Sequence, residues 1–146
     1  MMTKRSVAAA LLLAGAQTVG AGEALDTRSE LELTPQARHT VLTEMRGFVV
    51  GLQRITAALS EEDMRTVAEV ARSLGTAAAQ ETPPEVMKQL PAEFRQLGFS
   101  VHRDFDQIAL DAESLEDRDH TLRQVSEAMN GCVACHAAYQ IRTVTE

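Results

Sequence analysis

The chain predicts an all-α protein, an antiparallel (up-down-up-down) four-helix bundle. Three observations carry that expectation. Apolar residues recur at three- and four-residue steps through four long segments, prolines and acidic clusters separate those segments, and no stretch shows convincing β-alternation. A length of 146 residues suits one domain, placed at residues 34–146.

The first helix begins at Thr34-Pro35, with Thr34 as N-cap and Pro35 at the first helical position, where a missing N–H costs nothing. Leu42, Met45, Phe48 or Val49, Leu52, Ile55 and Leu59 form its apolar stripe. Ser60, with Asp63 three residues on, reads as an approximate capping box for a second helix. That helix carries Met64, Val67, Val70 or Ala71, Leu74 and Ala78. Pro83-Pro84 cannot continue it, because two prolines remove donors and clash with the preceding turn. Residues 85–90 can make a short extra turn. Pro91 opens the third helix, striped by Phe94, Leu97, Val101, Phe105, Ile108 and Ala112. The acidic residues 113–119 mark the turn into a fourth helix, whose N-terminus favours negative charge. Leu122, Val125, Met129, Cys132, His136 and Tyr139 follow at a 3-4-3-4-3 spacing along it.

Ahead of the helices, Lys4 and Arg5 precede an apolar run from Val7 to Ala16, and small residues follow, with cleavage sites after Ala21 or Ala24. Residues 1–22 read as a secretory signal peptide, too short to span a bilayer, and 23–33 as a flexible mature N-terminus. The expected location is the periplasm. Cleavage after Ala21 removes two bases and no acid, so the formal charge of −7 becomes −9. Such acidity argues against nucleic acid and anionic membranes, and it favours a partner with a basic docking surface. No other segment is apolar over a bilayer's length, so no membrane association is expected after cleavage.

The chemistry lies in Cys132-Val133-Ala134-Cys135-His136, which matches the C-x-x-C-H pattern of c-type haem attachment. The two thiols can join the two vinyl groups of haem, and His136 follows so closely that its imidazole reaches the iron. On a helix, spacings of three and four put all three side chains on one face. Gly131 leaves room for a porphyrin edge to approach the backbone. Other uses of the pair are weaker. A disulfide here would close a tiny loop and constrain almost nothing, and a thioredoxin-type pair belongs to a βαβ context. A zinc site lacks further ligands, since these are the only two cysteines. The expectation is therefore one covalently bound haem c per chain. It would lie in the bundle core, because Cys132 and His136 share a seam with Leu122, Val125 and Met129. Aromatics at 3% and the lack of Trp leave flat apolar surface for a porphyrin to supply.

From Thr34 to Arg142 the chain resembles the class II c-type cytochromes, the cytochrome c-prime and cytochrome c-556 group. The resemblance rests on the export signal, the four helices, the motif on the last helix and Tyr139 one turn later. It implies Cys132 and Cys135 as thioether positions, His136 as proximal iron ligand and Tyr139 in the haem pocket. The family often has a basic residue directly after that Tyr; Gln140 stands there instead, with Arg142 near enough to reach the same region. Arg38 and Arg142 are candidate propionate contacts, set against the commoner reading of surface arginines.

Function turns on the position opposite His136. With helices one and four antiparallel neighbours, a rise of ~1.5 Å per residue puts His136 about 9 Å from a helix end near Arg142. Leu42 and Met45 then lie roughly 10 and 15 Å from the adjacent start at Pro35, one turn apart on one stripe. The resemblance implies Leu42 as the apolar side chain over a five-coordinate iron in the c-prime manner. Alternatively Met45, in the Glu44-Met45 pattern of c-556-like members, is the distal ligand. The first arrangement suits binding of nitric oxide or carbon monoxide; the second suits electron transfer, because Met ligation raises the potential. Electron transfer is the expected function and gas binding the alternative. No motif positions a general acid or base, so an enzyme is not expected. His102 is weighed as a further haem-pocket residue against a satisfied histidine at the core boundary. Gly47 and Gly51, four apart, raise a homodimer through close helix approach.

Overall fold

A computed structural model describes residues 26–144, so the expected signal peptide, its cleavage sites and the first residues of the expected mature chain lie outside the described residues. Within them the order is β1 (Ser29–Leu33), α1 (Pro35–Ser60), α2 (Met64–Ser73), α3 (Thr76–Ala79), α4 (Pro84–Met87), α5 (Ala92–Leu115), α6 (Arg118–Ala138) and β2 (Tyr139–Thr143). Helix accounts for 75% of this, which makes the chain an all-α protein with one strand pair attached.

The helix starts follow local chemistry. Thr34 accepts a hydrogen bond from the Ala37 N–H at 3.3 Å, and Asp117 accepts one from the His120 N–H at 2.9 Å. The expected capping box at Ser60 is corrected: α1 runs through Ser60, and Asp63 itself caps α2 by accepting from Thr66. The second helix is also shorter than its stripe suggests. Gly75 ends it, and Asp106 of α5 accepts from the Thr76 N–H and hydroxyl at 3.1 and 2.7 Å, which starts α3 afresh. Glu62 and Glu116, in the turns before α2 and α6, take left-handed backbone at φ 58° and 49°.

α5 packs against α2 and α6, and α1 against α2. Phe48 and Ile55 of α1, Val67 and Val70 of α2, Phe105 and Ile108 of α5, and Val125 of α6 meet in one core. The α1 stripe lies as expected, with Phe48 of the Phe48/Val49 alternative buried and Val49 67% exposed. The α6 stripe is rotated from its expected phase: the buried face is Thr121, Val125 and Ala128, while Leu122 and Met129 are 50% and 45% exposed. Small residues decide this, since they let α6 lie close on α5: a Cβ at Gly131 would stand 2.6 Å from Val101 Cγ2.

The N-terminal segment corrects another expectation. Ser29–Leu33 is not loose but a strand, paired in parallel with Tyr139–Thr143. Its Ser-Glu-Leu-Glu-Leu alternation buries Leu31 and Leu33 and points the acids outward. Those leucines form a second core with Ala37, Val41, Val86 and Leu90, and Met45 packs against both cores.

Gly51 faces inward rather than toward another subunit. A Cβ there would run into the Leu74 side chain, whose Cγ lies 3.1 Å away. Gly51→Ala therefore lowers stability by about 1 kcal/mol, with overpacking outweighing alanine's helical preference. A thermal melt checks this, and an unchanged or higher Tm contradicts it.

Candidate functional site

The last two turns of α6 carry Cys132, Cys135 and His136. Both thiols are half-buried and unpaired. Burial pushes both pKa values up, helped at Cys135 by the neighbouring Cys132, so both are neutral thiols near pH 7. They face a cavity of about 220 Å³ between α1, α5 and α6, walled by Phe48, Leu52, Leu97 and Val101. A second cavity of about 380 Å³ lies toward the strand pair, lined by Arg28, Arg38, Leu42, Tyr139 and Ile141. The two adjoin, sharing Met45, Phe94, Cys135 and His136.

Met45 and His136 thus border the same pair of cavities, one from α1 and the other from α6. Leu42 lines the second cavity alone. Tyr139 starts β2 and meets Phe94 edge to face at 5.4 Å. α6 therefore stops at Ala138, short of the helix end expected near Arg142, and His136 lies in its final turn. Among the described residues no three His, Cys, Asp or Glu side chains converge as ligands of a single ion. Cys132, Cys135 and His136 share a cavity wall without meeting at a point. That arrangement fits a broad apolar group gripped at separate atoms better than a zinc ion.

The two arginines of the sequence reading separate. Arg38 lines the second cavity. Arg142 is turned to Glu30 across the strand pair, Nε to Oε1 3.1 Å, and is not among the residues bordering either cavity. The other cation at the cavity is Arg28, which sequence reasoning missed. Its Nη1 donates to the carbonyl oxygens of His136 and Tyr139, each at 3.3 Å. No local pattern signals a residue that acts 108 positions along the chain.

His102 also borders the first cavity, but both of its ring nitrogens are engaged. Nδ1 lies 2.7 Å from the Leu74 carbonyl and Nε2 3.3 Å from Glu44 Oε1. It is a satisfied buried histidine.

Compared with protein-family models, curated proteins and solved structures, the chain matches none.

Proposed function

We propose that this chain is an exported c-type cytochrome that transfers electrons, built as an antiparallel bundle of α1, α2, α5 and α6. One observation supports this most. Cys132, Cys135 and His136, the two thiols half-buried and the histidine exposed, border from consecutive turns of α6 an apolar cavity that Met45 of α1 also lines. Cys132 and Cys135 would hold one haem c through thioethers, His136 would be its proximal ligand and Met45 its distal one. When bound, that group supplies a one-electron couple.

The rest of the work falls to the chain. Phe48, Leu52, Leu97 and Val101 give the first cavity an apolar wall, which suits a porphyrin ring. Arg28 and Arg38 make the second cavity cationic, which suits the carboxylates of a haem better than its apolar ring. The formal charge of −9 expected after cleavage, against −7 for the full chain, favours a redox partner with a basic face. Leu42 beside His136 supports the five-coordinate, gas-binding reading, but it lines one cavity where Met45 lines both.

Expression of the full chain in cells competent to mature c-type cytochromes tests the attachment. The purified protein is expected to keep its colour through acidic organic extraction and to gain the mass of one haem. Cys132→Ser with Cys135→Ser removes both properties. A colourless wild-type chain of bare polypeptide mass would overturn the proposal.

A further inference from the structure

A helix end leaves its last carbonyls without helical partners. At the end of α6 the Tyr139 N–H takes the Cys135 carbonyl. The carbonyls of His136 and Tyr139 take Arg28 Nη1. The remainder of that guanidinium is fixed by Asp26: Nε lies 3.0 and 3.2 Å from its two oxygens and Nη2 2.6 Å from Oδ2. The Arg28 hydrogen bonds hold the Asp26 carboxyl down at a pKa of about 2, so the bracket stays ionised through neutral pH. The backbone is anchored as well, since Gln140 Nε2 donates to the Arg28 carbonyl at 3.1 Å, just ahead of the Ser29–Tyr139 pair that opens the ladder.

We propose that Arg28 is a positioning residue for His136, fixing the turn that carries the imidazole and neutralising the Asp26 carboxylate next to that turn. The inference rests on the reading of His136 as an iron ligand. Only a planar fork can serve a carboxylate on one edge and two carbonyls on the other, so lysine replaces the charge but not the geometry. The Arg28–Asp26 pair is neutral overall, so loss of the guanidinium leaves an unbalanced carboxylate near the redox centre, which favours the oxidised state and lowers the reduction potential.

Arg28→Gln and Arg28→Lys in the exported full chain test this, with two readouts. Side-chain exposure of 39% leaves room for either substitution without collapse. In Arg28→Gln, amide hydrogen exchange over residues 137–140 is expected to rise about tenfold, the worth of one charge-assisted hydrogen bond. At the wild-type midpoint, its ratio of reduced to oxidised protein falls several-fold. Arg28→Lys restores that ratio while recovering only part of the exchange protection. Unchanged exchange in Arg28→Gln overturns the proposal. So does faster exchange with an unchanged ratio, which would make Arg28 a clasp for the strands alone. A chain without covalent colour defeats the cytochrome reading, while exchange still decides whether Arg28 holds the turn at His136.

Discussion

With His136 and Met45 as the two ligands of the proposed haem iron, Met45→Ala is expected to convert the reduced protein from a low-spin to a high-spin spectrum and to open the iron to carbon monoxide. Met45 is the one side chain of α1 that borders both cavities beside His136 and also packs against both cores. A Met side chain there has a flexible stem packed against apolar residues of both cores. Truncation removes the sulfur and leaves a space that a diatomic ligand can enter. The reduction potential falls with it, because a Met ligand favours the reduced state. Packing loss is a separate consequence, costing about 1–2 kcal/mol because Met45 is only partly buried. Met45→Leu separates the two effects by keeping most of the volume, so it should go high-spin with much less loss of stability. A wild-type protein that is already high-spin and binds carbon monoxide, unchanged by either substitution, would shift the assignment to gas binding under Leu42.

Much of this arrangement is written in local pattern, and the parts that are not share a cause. Thr34-Pro35, Asp117 and the stripe of α5 are readable because a cap or a face depends on neighbours within a turn or two. That Cys132, Cys135 and His136 fall on consecutive turns of one helix is readable for the same reason, since their spacing fixes their placement once the helix forms. The β1–β2 pair is different. Its partners are more than a hundred residues apart, and a five-residue acidic strand carries too weak an alternation to announce a parallel pairing. Arg28 inherits that obscurity, because its target exists only once the strands have met. The phase of α6 was hidden by a similar effect. Leu122 and Met129 outrank Thr121 and Ala128 on any hydrophobic scale, yet close approach to α5 favours the small residues. The early end of α2 depends on Asp106, thirty residues away on another helix. Nonlocal contacts override local preference in each case.

His102→Ala is expected to lower stability by about 3 kcal/mol, on the order of 10 °C in Tm, and to flatten the pH dependence of what remains. The ring is 5% exposed and packs on Phe48 at 5.1 Å between centroids, so truncation removes buried contacts. Its two polar partners, the Leu74 carbonyl and the Glu44 carboxylate, are both acceptors. Satisfying both requires a proton on each ring nitrogen, which is the imidazolium. Burial alone pulls the His102 pKa down. The Glu44 hydrogen bond and charge, with the backbone at Leu74 and Gly75, outweigh it and leave the pKa above its ordinary 6.5. A pKa raised by folding adds stability that is fully present below about 6.5 and is lost as pH rises through the folded value. Wild-type protein is therefore more stable at pH 6 than at pH 9 by this contribution, and His102→Ala lacks that difference. Glu44→Gln lowers the folded pKa and moves the loss to lower pH. Denaturant titrations of the three proteins across this range check the signs. Parallel stability curves for wild type and His102→Ala above pH 6 would mean that the histidine is held neutral, with one of its acceptors unserved.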